Sequence, residues 1–288
     1  MKDEFNKKWI IENSIEILKE YELGELTIRS LHYRLVSIGM HNTQQHYKRV
    51  VNAMIEARWS GDVLFNAFSD HERETLGSTK YEETNLDEEV EIAKNSINSL
   101  MNYYFKNRWE NQPIYTEVFI EKKALQGLFE PICDKWDVAL NPCKGYPSLT
   151  FINNAVQRFK CVENKEIIIL YFGDYDPSGE DIPRSIEVNF KKLGCDNIEV
   201  KRIALNKKQV MDLNLPPAPK KVTDSRSAKW NGLGQVELDA VEPNNLKKMV
   251  DCAISELFNK YLHEDLKVKQ REETITYQKV LKEYVSTI

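Results

Sequence analysis

The chain has 288 residues, 41% of them hydrophobic and 30% charged, with a net charge of −5. That balance supplies a sizeable core and argues against a globally basic nucleic-acid binder. No apolar run approaches the length of a membrane span, and the first residues, Met1 to Lys8, lack the apolar segment of a signal peptide. Five scattered cysteines without a C-x-x-C pair point to a reducing cytoplasm and away from structural zinc.

In chain order, a helix is expected from Phe5 to about Tyr21, broken by Gly24. Thr27 is a good N-cap for a second helix ending near Gly39, and Asn42-Thr43 opens a third, to about Trp59. Three helices with a tight turn between the second and third read as a helix-turn-helix, with Asp62 to Phe65 as a wing. A generic three-helix bundle is the plainer alternative. From Leu26 to Ser60 there are five basic residues and one acid, and Lys48 and Arg49 lie off the apolar stripe of the third helix. Such a face suits a DNA groove, although a solvated surface looks the same.

On the second helix Ile28, Leu31, Leu35 and Ile38 form one stripe. Tyr33 falls almost opposite it, four residues after Arg29, so the two are neighbours on what the wheel makes the outer face.

Asp70 to Glu91 is acidic and reads as a solvated linker, followed by a helix from Leu86 to about Arg108. Then strands and helices alternate. Ile114 to Ile120 reads as a strand ending in Glu121-Lys122-Lys123-Ala124, with a helix to about Trp136. Val138 to Leu140 is a second strand. Lys144-Gly145-Tyr146-Pro147 leads into a helix ending near Phe159. Ile167 to Phe172 is a buried strand that stops at Gly173 and is followed by Asp174-Tyr175-Asp176-Pro177, with Pro177 opening a helix to about Leu193. Ile198 to Ala204 gives a fourth strand. Alternation of this kind implies a mainly parallel sheet flanked by helices, in an α/β protein.

Ligands in such sheets bind beyond the carboxyl ends of the strands. If the first and third strands are adjacent, Glu121, Asp174 and Asp176 converge there. Paired acids at that place suggest a hard metal, Mg²⁺ above all; a solvated turn in which an Asp caps a helix is the competing reading. Leu215 to Lys221 is a Pro-rich connection. In the later segment Gln235 to Ala240, Glu237 and Asp239 either approach the acids or face solvent. Asn244 to Leu262 and Glu264 to about Tyr284 are expected as the last two helices.

Glu-Lys-x-Ala, Gly-Tyr-Pro and Asp-x-Asp-Pro-x-Gly-x-x-Ile, in this order, resemble the Toprim domain of topoisomerase VI A subunits and the meiotic double-strand-break proteins. Thr27-Ile28-Arg29-Ser30-Leu31-His32-Tyr33 resembles the segment of their winged-helix domain that carries the catalytic tyrosine. Here His32 stands where the family has a first tyrosine, and Phe151 stands where a basic residue is expected. A haloacid-dehalogenase-like phosphatase would need Asp-x-Asp-x-Thr on its first strand, which is not the pattern here.

The resemblance implies a winged-helix domain over 1–75, a linker and connecting helix over 76–110, and a Toprim domain with a helical extension over 111–288. It implies Tyr33 as nucleophile supported by Arg29. Glu121, Asp174 and Asp176 would hold Mg²⁺, for which Mn²⁺ substitutes. Double-stranded DNA would be the substrate, with Arg34, Lys48, Arg49 and Lys144 as contacts. It implies a type IIB topoisomerase-like, nucleoid-associated homodimer, with each tyrosine facing the partner's metal. The chain shows no extension like that by which these A subunits engage their ATP-binding B subunit. A separate B-like partner is therefore left open, and ATP-driven strand passage by this chain alone is not implied. Two other readings stand beside this one: a Toprim nuclease in which water attacks, and a DNA-binding module without activity.

Overall fold

The computed structural model describes residues 4–69, 85–162, 164–218 and 234–286. Most of the acidic linker and part of the Pro-rich connection lie outside these residues. The contacts divide the chain into two compact units, 1–73 with 114–256, and 74–113 with 257–288.

The first unit begins with three helices, α1 (Lys7–Leu18), α2 (Ile28–Ser37) and α3 (Gln44–Ser60). Thr27 caps α2 by accepting from Ser30 N at 3.0 Å, and Thr43 caps α3 by accepting from His46 N at 3.2 Å. Leu31 and Leu35 of α2 are fully buried with Ile10, Val50, Ala53, Met54 and Ala57, so the middle of the expected stripe forms the core face, while Ile28 is half-buried and Ile38 is 49% exposed. Residues 62–65 do not build a wing. Among the described residues that stretch runs into a 3₁₀ turn, Phe65–Ala67, and one isolated bridge joins Phe68 to Leu26.

The sheet follows: β1 (Ile114–Ile120), α5 (Gln126–Trp136), β2 (Ala139–Pro142), α6 (Leu149–Phe159), β3 (Glu166–Phe172), α7 (Pro177–Lys192), β4 (Ile198–Ala204) and a short α8 (Lys207–Asp212). Four parallel strands lie in the order β2-β1-β3-β4. Both faces of the central strands are buried, which is why their sequences are near-continuous apolar runs. On one face Phe119, Ile169 and Tyr171 pack against Ile152, Ile186 and Phe190 of α6 and α7. On the other, Phe172 meets Phe129 of α5 edge to face, at 5.1 Å between ring centroids. Phe190 is fully buried and touches the rings of both Phe119 and Phe159. Phe190→Ala is expected to cost about 3–5 kcal/mol of unfolding free energy, read from denaturant titration, because the sheet cannot collapse onto so large a void.

Residues 235–240 do not form a full strand. Val236 makes a single antiparallel bridge to Tyr175, and Leu238–Ala240 is a 3₁₀ turn packed on α2. α9 (Pro243–Leu257) completes this unit.

The second unit holds α4 (Leu86–Leu100) and α10 (Lys260–Val285). α4 is shorter than its sequence pattern because the residues after Leu100 bind α10 instead. Lys106 N donates to Gln270 Oε1 at 2.9 Å, and Tyr104 donates its hydroxyl to Glu273. The last two helices divide at Asn259 rather than beyond Leu262. The Asn259 side chain accepts from Tyr261 N and Leu262 N and so starts a new helix.

Candidate functional site

The register Ile120↔Phe172 sets the ends of β1 and β3 side by side, as the strand pattern anticipates. Glu121 Oε2 accepts from Asp174 N at 2.9 Å and from Tyr171 Oη at 3.2 Å. Gly173 allows this approach. A Cβ there would lie 2.5 Å from Tyr171 Oη and 2.6 Å from Glu121 Oε2. Gly179, in the first turn of α7, lies so close to the Asp174 carbonyl that its Cβ would stand 2.1 Å from that oxygen. Arg202 of β4 fixes the same loop by donating to Asp174 O at 2.6 Å and to the Gly179 carbonyl.

An open cavity of about 520 Å³ lies at this end of the sheet, lined by Arg29, Glu121, Lys122, Lys144, Asp174, Glu237 and Asp239 among others. Lys122 Nζ contacts Asp239, Asp174 and Glu237 together. Arg29 pairs with both oxygens of Glu237, at 2.9 and 3.0 Å, and its guanidinium lies 4.8 Å from the ring centroid of Tyr47. Asp239 also faces Thr27 Oγ1 at 3.4 Å. The 237–239 segment thus ties the start of α2 to the sheet edge. That packing joins the N-terminal helices and the sheet within one compact unit. Glu237 and Asp239 both turn inward, so the solvent-facing alternative does not hold.

Burial pushes the Asp174 and Glu121 carboxyls up. Asp174 is raised to about 7, although Lys122 opposes the shift, and Glu121 contributes to the rise. Glu121 is raised as well, by burial foremost. Lys122 goes the other way from an isolated buried amine: Asp239, Asp174 and Glu237 outweigh desolvation and hold its proton on.

The donor set of Glu121, Asp174 and Asp176 is all oxygen, as Mg²⁺ prefers. Two of these carboxylates are desolvated and incompletely compensated, and the glycine at 173 leaves Glu121 Oε2 uncovered by a side chain. By donor chemistry the residues fit a hard divalent cation. Among the described residues, however, no three acids, histidines or cysteines stand as a ready ligand shell. Asp176 Oδ1 accepts from Gly179 N and caps α7, while Lys122 holds Asp174. The capping role named as the competing reading is thus the one Asp176 fills here.

Tyr33 is brought near this cluster but not into its cavity. The hydroxyphenyl group is 2% exposed, so the outward position expected from the helical wheel is wrong. The face of α2 opposite the apolar stripe is covered by the turn at 238–240, a second surface contributed by residues far along the chain. Burial, with Glu237 next, pushes the phenol well above its ordinary value, and the opposing effects of Lys122 and Arg29 do not cancel this. The expected activation by Arg29 is therefore outweighed at rest, and Glu237 takes up its guanidinium. Tyr33 and Arg34 instead line a neighbouring cavity of about 570 Å³ with Leu215, Pro217 and Glu242. Arg34 donates to Ala240 O at 2.5 Å, and its Nε has no hydrogen-bond partner among the described residues. Lys48 is exposed on α3 and Arg49 lines a separate groove with Asn6 and Asn52, so of the expected DNA contacts only Lys144 borders the acid cavity.

His32 sits between the rings of Tyr33 and Tyr47, at 5.9 and 5.6 Å. Burial pulls its imidazole from the ordinary 6.5 down to about 4. Between these values the unfolded chain binds the proton and the folded chain does not, so acidification through that window removes stability. Asp174 works in the opposite sense, because its folded form binds the proton more tightly. Comparison of wild type with His32→Gln isolates the histidine. The variant is expected to lose about 2–3 kcal/mol less than wild type between pH 7 and pH 4, read from urea titrations at each pH.

No family model matches the chain, and no curated protein matches it significantly.

Proposed function

We propose that this protein cleaves double-stranded DNA by transesterification, in the manner of the topoisomerase VI A subunits its sequence resembles. The observation that carries the proposal is the joining of acids and cations at the carboxyl end of a parallel sheet, directly beside the helix that bears Tyr33. Arg29, Lys122 and Lys144 supply positive charge for phosphates. Glu121, Asp174 and Asp176 would hold Mg²⁺, with Mn²⁺ as substitute. Bound there, the ion supplies Lewis-acid stabilisation of charge on the phosphoryl and leaving oxygens. Tyr33 Oη forms the bond to phosphorus as the bond to the 3′ oxygen breaks. The phenol gives up its proton, and the 3′ oxygen ends as a hydroxyl. Because Tyr33 is covered and protonated at rest, DNA binding must draw α2 away from the 238–240 turn. A homodimer, as the resemblance implies, would place two such sites to cut both strands.

A second reading is favoured by the burial of Tyr33: the same acids support hydrolysis by water, and the tyrosine only packs. Supercoiled plasmid with Mg²⁺ or Mn²⁺, quenched in detergent and split into protease-treated and untreated halves, tests both. Glu121→Gln and Asp174→Asn are expected to lower cleavage at least 100-fold on either reading. Full cleavage by both variants would remove the acid site from the chemistry.

A further inference from the structure

We infer that Lys122 is the resident cation of the acid cavity and restricts it to a single divalent ion. The inference rests on the proposed use of Mg²⁺ at Glu121 and Asp174, and it concerns what the chain itself puts in the other half of the cavity.

The Lys122 ammonium lies 2.7 Å from Asp239 Oδ2, 3.2 Å from Asp174 Oδ1 and 3.3 Å from Glu237 Oε2. An ammonium has three N–H donors and no acceptor. Three carboxylate oxygens around it therefore match its capacity. They come from two separate segments, the end of β3 and the 236–241 stretch, which is how ligands to a bound cation are gathered in a folded chain. The side chain is only 22% exposed, and the acids around it are nearly closed from solvent, Asp239 at 2% and Glu237 at 8%. Burying those two acids without a cation would cost several kcal/mol each. The lysine makes their burial tolerable.

Glu121 stands apart from this set. Its Oε2 is bonded by Asp174 N and Tyr171 Oη. Asp174 links the two halves of the cavity, its backbone N–H turned to Glu121 and its Oδ1 to Lys122 and Leu238 N. In two-ion phosphoryl-transfer sites the ions lie about 3.5–4 Å apart and together clamp the attacking and leaving oxygens. Here the second position carries a tethered ammonium. It contributes one positive charge but, with its three donors engaged by carboxylates, no open coordination position. Glu237 and Asp239 thus serve the lysine, and through Arg29 and Thr27 they also tie down α2.

The test counts bound Mn²⁺ by electron paramagnetic resonance on the full-length protein without DNA, with circular dichroism on each variant as the check of folding. Wild type is expected to bind one ion, Lys122→Arg one, Lys122→Gln two, and Lys122→Gln with Asp239→Asn one again. Two ions on wild type overturn the inference, and that measurement requires no variant to fold. One ion on a folded Lys122→Gln also overturns it. Ions absent from wild type but present on Lys122→Gln would show that the lysine shuts out the metal altogether, which likewise overturns the single-ion claim. No Mn²⁺ on wild type or on any folded variant would instead bring down the metal-dependent reading of the site itself.

Discussion

Tyr33→Phe is expected to abolish protein-linked DNA, a fall of at least about 1000-fold, while the variant stays folded. Only the phenolic oxygen can form the covalent link, and phenylalanine keeps the ring that fills the space between α2 and the 238–240 turn. The loss of one buried hydroxyl costs at most about 1–1.5 kcal/mol, too little to unfold a domain of this size. The outcome separates the two readings of the acid site. If water attacks, Tyr33→Phe retains cleavage and the broken DNA carries no protein in either form. A second observable follows from the electrostatics. Burial beside Glu237 keeps the proton on Tyr33, so a tyrosine-dependent cleavage should accelerate as pH rises from 7 to 9, as more of the phenol ionises. A rate that is flat over that range and insensitive to Tyr33→Phe would assign the chemistry to water.

The position of Tyr33 also shows where reading the sequence runs out. A helical wheel identifies the stripe that packs first, and Leu31 and Leu35 are indeed buried with α1 and α3. It gives no information about a second surface. That surface is built by residues 238–240, some two hundred positions away, and nothing periodic in α2 announces it. The sheet was far more legible. Its strands are short apolar runs between helical patterns, and β1, β3 and β4 lie where those runs lie. The meeting of Glu121 with Asp174 followed from one further assumption, the adjacency of the first and third strands, which the register bears out. Lys122 was visible only as part of a motif. Its role depends on Glu237 and Asp239, whose inward orientation the alternation of their segment leaves undecided. Arg202 gave no signal at all, because a basic residue on a sheet strand reads as a solvated edge position. Its three backbone acceptors, on Asp174, Gly179 and Leu205, appear only when β4 is set beside β3.

One signal in the sequence points to a second large stability effect. Glu117 interrupts an apolar strand, and a carboxylate in a strand buried on both faces must have partners. It is completely buried. Arg158 donates Nη2 to Glu117 Oε2 at 2.8 Å and Nε to Oε1 at 3.2 Å, while Asn141 Nδ2 donates to Oε2 and Tyr115 Oη to Oε1, both at 2.8 Å. Four donors from β1, β2 and α6 thus converge on one carboxylate and fix α6 against the edge of the sheet. Glu117→Ala leaves the guanidinium, the amide and the hydroxyl without their acceptor and opens a void. The expected loss is about 3–5 kcal/mol, read from urea titration of the purified variants. Glu117→Gln keeps the shape and one acceptor oxygen but adds an amide donor facing the Arg158 and Asn141 donors, so it should lose about half as much. Simultaneous replacement with apolar residues, Glu117→Leu and Arg158→Met, should recover most of the deficit, because the cost lies in the stranded charge more than in the absence of the pair. A double variant no more stable than Glu117→Ala would mean that this network specifies the seating of α6 in a way apolar packing cannot replace.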